Sequence, residues 1–401
     1  MITTRQIQPD LFYIGASIRR LSSFENMMPI PRGVSFNSYL LIDEKTVLLD
    51  ATDHAVGEQF LENLEDALQG RPLNYFIIHH VEPDHLTMAQ AVLVRHPEVT
   101  IVCSAAASKF IEQFYHLHLE NRIEIVKEGS TLTTGKHTFT FLSAQMVHWP
   151  EVLVSYESTY KILFSADAFG TFGALNGNLY ADEVNFDRDW LEDARRYFTN
   201  IVGKYGTQVQ TLLKKASGVD IQMICPLHGP IWRKNLAYYI QKHDTWSRYE
   251  AEEKTVLIVY GSPYGHTENA ATVLANFLAD KGIQNISMYD VSNTHVSYLV
   301  AEAFRCSHIV MVAPTYNNGL FPPMETFLLD LQAHQLQNRT FAIIENGTWA
   351  PVSGKIMQNI VCSMKNNLLL NPIITIKSAL QKEQQKDMEI LGDKIVSSMQ
   401  Q

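Results

Sequence analysis

The stretch Tyr75-Phe76-Ile77-Ile78-His79-His80-Val81-Glu82-Pro83-Asp84-His85 decides the reading of this chain. Its first four residues form an apolar run of strand length, and the six from His80 to His85 carry two imidazoles and two carboxylates. Pro83 stands between the two acids, where it would break a helix interior, so the segment is predicted to be a loop at a strand end. On such a loop the four groups can converge on one point. Imidazole nitrogen and carboxylate oxygen are ligands of divalent and trivalent metals, and this loop alone offers enough of them for two ions. The bland alternative is a solvated polar loop with two incidental histidines, and the rest of the chain bears on it.

Three later positions weigh against that alternative. His148 ends the β-like run 138–147 in Met146-Val-His-Trp-Pro150, Asp167 follows the strand-like Ile162 to Phe164, and His228 follows Ile221 to Ile224 in Cys225-Pro-Leu-His-Gly-Pro230. Each lies at the end of an apolar run. Ligands supplied from several strand ends of one sheet suit a metal cavity, because the strands fix the spacing while the loops carry the chemistry.

The pattern His-x-Glu-x-Asp-His, followed by His148, Asp167 and His228, resembles the metal site of the flavodiiron proteins, also called A-type flavoproteins. The resemblance covers essentially the whole chain. It implies an N-terminal metallo-β-lactamase-like αββα sandwich over residues 1–250, followed by a C-terminal flavodoxin-like doubly wound parallel sheet over 254–401. It also implies two non-haem iron ions: His80, Glu82 and His148 would hold one, Asp84, His85 and His228 the other, with Asp167 bridging them.

Elementary coordination chemistry also favours iron. Hydrolases of the metallo-β-lactamase fold usually carry His where this chain has Glu82, and the exchange moves the site toward harder oxygen ligation. Glu82, Asp84 and Asp167 bring three negative charges to two cations, which favours the higher charge of an oxidised pair. Zinc could bind such a site, but it has no redox chemistry for a flavin to serve.

The flavin reading rests on the second half. Thr255 to Tyr260 reads as a buried parallel strand, running into Gly261-Ser262-Pro263-Tyr264-Gly265-His266-Thr267 and a helical stretch from Glu268 to Lys281. Backbone N–H groups and the Ser262 and Thr267 hydroxyls of such a loop can surround a phosphate at a helix N-terminus. The loop is neither a nucleotide triphosphatase loop nor a Gly-x-Gly-x-x-Gly dinucleotide turn. A second strand, His308 to Val312, ends in Ala313-Pro314-Thr315-Tyr316-Asn317-Asn318-Gly319. A third, Phe341 to Ile344, ends in Glu345-Asn346-Gly347-Thr348-Trp349-Ala350. Both loops fall at carboxyl ends of strands, where a doubly wound sheet binds its ligand. The resemblance to flavodoxins assigns Ser262, Tyr264, Gly265, His266 and Thr267, with Pro263 among them, to the phosphate of FMN. Thr315, Tyr316, Asn317, Asn318 and Gly319 beside Pro314, and Asn346, Gly347, Thr348 and Trp349 beside Ala350, are assigned to ribityl and ring. His266 departs from the commoner Asn.

At 401 residues, 46% hydrophobic and 18% charged, the chain can bury two cores. The charged stretch Ser247 to Lys254 separates a last helix of the first domain, Leu236 to Trp246, from the first flavodoxin strand. The net charge of −10 sits almost wholly in residues 1–253, with 22 Lys plus Arg against 31 Asp plus Glu. Nucleic acid is therefore an unsuitable partner, and an acidic electron donor would match the first domain poorly. The N-terminus shows no signal-peptide core and no run of membrane-spanning length occurs, so a soluble, cytoplasmic protein without a membrane partner is expected. Cys103, Cys225, Cys306 and Cys362 form no Cys-x-x-Cys pair, which excludes a zinc ribbon, a rubredoxin module or a disulfide framework; all four read as small buried residues.

His79 should face away from His80 and take a core or supporting role, and His116 and His118 should lie at a helix end. Trp149 and Tyr316 are candidates to shape a pocket that excludes water around the metals. The resulting expectation is an FMN-containing diiron oxidoreductase reducing dioxygen to water, nitric oxide to nitrous oxide, or both. Its electrons would come from a separate donor such as a rubredoxin or a reductase. The resemblance implies a head-to-tail homodimer or a dimer of dimers. Two rivals are a binuclear zinc hydrolase with an appended flavodoxin, and an electron carrier whose metal domain only assists folding.

Overall fold

The computed structural model describes residues 2–116 and 122–400. Within them the chain divides into two compact units, residues 1–198 with 207–244, and residues 199–206 with 245–401. His118 lies outside the described residues.

The first unit stacks a seven-stranded sheet on a five-stranded one. Four strands of the larger sheet, Val47–Leu49, Tyr75–Ile77, Thr100–Ser104 and Ile123–Val126, run parallel. Parallel strands buried on both faces need apolar residues at every position, and the alternation then sorts them. Leu48, Phe76, Ile101 and Cys103 pack with Phe60, Leu64 and Leu68 of the helix Gly57–Leu68, and with Val92, Ala107 and Ile111 of the helices Ala89–Arg95 and Ala105–Tyr115. Their neighbours Leu49, Ile77 and Val102 point the other way and join Phe139, Phe141, Leu153, Ile162 and Phe164 of the five-stranded sheet. The result is the expected αββα sandwich, and it sends the carboxyl ends of Tyr75–Ile77, Ile162–Phe164 and Met223–Cys225 toward common loops.

The second unit has a parallel sheet ordered Ser287–Asp290, Glu253–Tyr260, Cys306–Tyr316, Thr340–Asn346, then Leu368–Leu369 and Ile374–Ile376. In chain order this is 2-1-3-4-5, the flavodoxin-like arrangement. Leu257, Val259, Ile309, Met311, Phe341 and Ile343 face one core, and Val256, Ile258, Val310, Val312, Ala342 and Ile344 face the other. Apart from Ala342, each such side chain contributes roughly 1.5–3 kcal/mol through burial, so the sheet is anchored from both sides.

Three readings need correction. The segment after Val81 is not wholly a loop: Pro83–Leu86 is one helical turn. Proline at the first position of a helix sacrifices no hydrogen bond, so Pro83 starts the turn instead of breaking it. The run from Thr138 leaves the sheet at Ser143, before His148. Cys362 is exposed on the helix Ser353–Ser363, while Cys103, Cys225 and Cys306 are buried. His116 does end a helix, in a left-handed conformation after Ala105–Tyr115.

Candidate metal centre

Seven side chains that sequence reading placed on strand ends meet in the first unit as two groups. His80, Glu82, His148 and Asp167 form one, and Asp84, His85 and His228 the other; the donor atoms within each lie within 4.8 Å of one another. In the first group Glu82 Oε2 is 3.2 Å from His80 Nε2 and 2.9 Å from His148 Nε2, and the two Nε2 atoms are 3.4 Å apart. A metal with bonds of about 2.1 Å separates neighbouring ligands by about 3.0 Å in an octahedron and about 3.4 Å in a tetrahedron. The observed spacings are those of ligands around one ion. In the second group Asp84 Oδ2 lies 3.2 Å from His228 Nε2 and 3.5 Å from His85 Nε2.

Asp167 joins the groups. Its Oδ2 is 3.3 Å from both His80 and His148, and its Oδ1 is 3.1 Å from His85 and 3.6 Å from His228. One oxygen thus faces each group. Asp84 Oδ1 and Oδ2 and His228 Nε2 are buried without a hydrogen-bond partner among the described residues. Buried polar atoms left bare cost about 1–3 kcal/mol each, and cations between the groups would satisfy all three. The donor set therefore fits two metal ions.

The tautomers agree. His228 Nδ1 sits 2.7 Å from the Ser35 carbonyl oxygen, which can only accept, and His80 Nδ1 sits 2.6 Å from the Glu151 carboxylate. Each ring must donate through Nδ1, leaving the Nε2 lone pair directed at the centre. Burial opposes protonation of His85 and His148, but the carboxylates around them outweigh it and raise both to about 9. Burial likewise disfavours charge on Asp167 and Glu82, yet the surrounding imidazoles hold both below the usual carboxylate range. Metal binding would displace the protons that these carboxylates favour on the imidazoles.

Strained backbone aims the loops. Asp50, Met146 and Ala166 adopt positive φ of 52°, 63° and 50°, each costing about 1–2 kcal/mol for a residue with a Cβ. Such conformations persist where surrounding bonds over-determine them. Asp50 accepts from the His79 backbone at 2.8 Å and meets its ring at 2.5 Å, while the far side of that ring meets Ser155 Oγ at 2.7 Å. All three are buried, so this Ser-His-Asp row braces the strand end that carries His80. The core role expected of His79 is what the geometry assigns.

Sequence reading missed several contributors. Glu151 is three residues beyond His148, and only the fold brings it behind His80. Tyr197 is fully buried against Phe24, Phe172 and His228, and its hydroxyl has no hydrogen-bond partner among the described residues. Trp149, by contrast, is the residue the sequence already offered for shielding the centre, and it packs edge-on against His80 at 5.3 Å.

In the second unit the three predicted loops enclose a cavity of 570 Å³. It is lined by Ser262, Pro263, Tyr264, His266 and Thr267 from the first loop and by Pro314 to Asn318 from the second. The third loop contributes Asn346, Gly347, Thr348 and Trp349. Gly265, Gly319 and Ala350 do not line it, whereas Ser378, not foreseen, does. Gly265 takes φ +86° just before the helix His266–Asp280, a turn that suits glycine and opens the helix N-terminus. Ser262 Oγ accepts the Glu268 N–H at 3.2 Å, and Thr267 Oγ1 accepts from Asn346 Nδ2 at 3.1 Å. Tyr264 and Trp349 are 92% and 77% exposed, leaving two aromatic faces open at the cavity rim; Tyr316 belongs to this cavity as well.

The comparisons with known proteins extend over both units. Residues 34–229 match the model of the ODP family beta lactamases. The anaerobic nitric oxide reductase flavorubredoxin of Vibrio vulnificus is 27% identical over 86% of this chain and 70% of its own length. The solved structure of the rubredoxin oxygen:oxidoreductase from Desulfovibrio gigas superposes with a TM-score of 0.93 and 25% identity over 99% of both chains. The flavodiiron protein from Giardia intestinalis, at 22% identity, shares the fold with a TM-score of 0.93 over 100% of this chain and 98% of its own. With two groups of side chains able to hold metal joined through one aspartate, a flavodoxin-like second unit and these likenesses along the whole chain, the protein is similar in fold and arrangement to the flavodiiron proteins.

Proposed function

We propose that this protein is an oxidoreductase that reduces dioxygen to water, nitric oxide to nitrous oxide, or both. Electrons would come from a separate donor, a rubredoxin or a reductase, by way of FMN. The observation that carries the reading is Asp167, with one oxygen toward each ligand group. When bound, an iron pair and a flavin supply the several electrons that such a reduction consumes. His80, Glu82 and His148 are the proposed ligands of one iron, Asp84, His85 and His228 of the other, and Asp167 of both. Iron is preferred to zinc because three carboxylates suit the harder, more highly charged ion.

The protein's own groups then have distinct tasks. Phe24, Phe172 and Trp149 keep bulk water from the centre, and the Tyr197 hydroxyl is placed to donate a hydrogen bond there. In the second unit the Ser262 and Thr267 hydroxyls, with the helix N-terminus, receive the FMN phosphate. Thr315, Tyr316, Asn317, Asn318, Asn346, Thr348 and Trp349 of the other two loops would hold the ribityl chain and ring. The proposed metal domain spans residues 1–250 and the FMN domain 254–401. No helix among the described residues is long and apolar enough to cross a membrane; a cytoplasmic location is part of the proposal.

A head-to-tail homodimer, alone or paired into a tetramer, completes it. Metal analysis with an optical spectrum tests the reading: two irons and one flavin per chain are expected, and zinc with no gas turnover would overturn it. Coexpression of an Asp167→Ala chain with a Ser262→Ala, Thr267→Ala chain tests the dimer. The purified heterodimer should regain donor-driven activity that both parents lack, and an inactive heterodimer retaining iron and FMN would exclude transfer between protomers.

A further inference from the structure

The two ligand groups differ in what stands behind their histidines. His80 Nδ1 donates to Glu151 Oε1 at 2.6 Å, and the same oxygen accepts the Val81 N–H at 3.1 Å. The Glu151 side chain is wholly buried, and its Oε2 has no hydrogen-bond partner among the described residues. Its backbone oxygen accepts the Ser104 hydroxyl at 2.9 Å, fixing the segment against the strand Thr100–Ser104. Across the centre, His228 Nδ1 donates only to the neutral Ser35 carbonyl, and His85 Nδ1 is buried without a partner among the described residues. Among the described residues, one group therefore has a buried carboxylate behind an imidazole and the other has none.

We propose, resting on the diiron reading above, that Glu151 makes the two metal positions unequal: the His80–Glu82–His148 position holds its iron more tightly and favours its higher charge more strongly. The cause is physical. A carboxylate accepting from Nδ1–H pulls the proton away from the ring and makes Nε2 a stronger donor, a charge-assisted effect that a carbonyl produces only weakly. A buried negative charge also acts through a low effective dielectric and favours a trivalent over a divalent neighbour. Glu151 acts through His80, so it is a positioning residue. The Asp84–His85–His228 position, by the same reasoning, is the one that empties first and keeps the reduced ion longer.

The test uses the full-length, iron-loaded protein and its Glu151→Gln variant, which retains the shape and an acceptor oxygen but removes the charge. Chelator-driven iron release from the parent should be biphasic, one iron per phase. A half-stripped crystal should keep its anomalous iron signal between His80 and His148. In Glu151→Gln the slow phase should quicken by roughly 10–100-fold, the usual loss for a supporting partner of a ligand, with the fast phase unchanged. The lower of the two iron potentials should rise by about 59 mV for each tenfold loss of ferric preference. Single-phase release from the parent, retention of iron at the Asp84–His228 position, or an unchanged slow phase in the variant would each overturn the proposal. If the variant does not fold, the two parent measurements still decide. A parent with no iron pair at all fails the diiron reading itself, at the metal analysis and before any release is measured.

Discussion

Gly229 follows the ligand His228 and takes φ +78°, so Gly229→Ala tests how tightly the second ligand group is held by its backbone. A Cβ built there would stand 2.1 Å from Thr171 Cγ2 and 3.3 Å from Thr171 Cβ. Thr171 is buried and its hydroxyl donates to the Phe172 carbonyl, so it cannot swing aside freely. The left-handed backbone costs an alanine about 1–2 kcal/mol, and overpacking a filled core costs typically about 1–3 kcal/mol more. Together these give roughly 2–5 kcal/mol, or about 4–20 °C in the unfolding midpoint of a unit this size. Gly229 also donates to Ser35 Oγ at 2.7 Å and accepts from Asn37 Nδ2 at 2.9 Å, so relief of the clash drags His228 off the Ser35 carbonyl. Thermal unfolding of the metal-free protein and iron content of the loaded protein read the two effects. Adding Thr171→Ser, which removes Cγ2 and keeps the hydroxyl, should recover the overpacking part only. A Gly229→Ala protein melting within 1 °C of the parent, about a tenth of the expected shift, and carrying full iron would refute the argument.

Three further outcomes follow from the same geometry. Asp167→Ala should lose iron from both positions and abolish gas reduction while FMN stays bound; full occupancy by metal analysis would remove Asp167 from the centre. Ser262→Ala with Thr267→Ala should weaken FMN by removing two hydroxyls near a charged phosphate, each worth roughly 1.5–3 kcal/mol, with iron unaffected, and an unchanged FMN dissociation constant by fluorescence would count against the phosphate assignment. His243 is buried among Phe169, Phe198 and Tyr239, and burial lowers it to about 3. Its unfolded form takes up a proton near 6.5 that the folded form refuses, so stability should fall as pH drops from about 6.5 toward 3, by about 1.4 kcal/mol per pH unit for this one group. Denaturant titrations of parent and His243→Phe across that range check it, and equal slopes would show that the group does not titrate on unfolding.

Much of the site was legible because its ligands sit where strands end. A run such as Tyr75 to Ile78 announces a buried strand, and polar residues clustered just past it have few structural reasons to be there. The parallel sheet of the second unit was legible for the same reason, since Val256, Leu257, Ile258 and Val259 are apolar on both faces. What escaped depends on contacts far apart in sequence. Glu151 and Tyr197 look like ordinary residues until the fold sets them behind His80 and beside Asp167. Ser378 lies 30 residues past Thr348 and reaches the cavity only because its loop follows the strand Ile374–Ile376 and its hydroxyl donates to Thr348. Pro83 was misjudged because proline has two opposite meanings, breaker within a helix and starter at its first turn, and only the backbone distinguishes them.

Anaerobic stopped-flow of the fully reduced, iron-loaded protein against dioxygen and against nitric oxide tests the central claim most directly. The account predicts rapid reoxidation of the flavin by at least one gas, with water or nitrous oxide as product and almost no hydrogen peroxide, and loss of that phase in Asp167→Ala. Flavin reoxidation at the same rate in the parent and in Asp167→Ala, with stoichiometric peroxide from dioxygen and no nitrous oxide from nitric oxide, would contradict it, because the metal centre would then take no part.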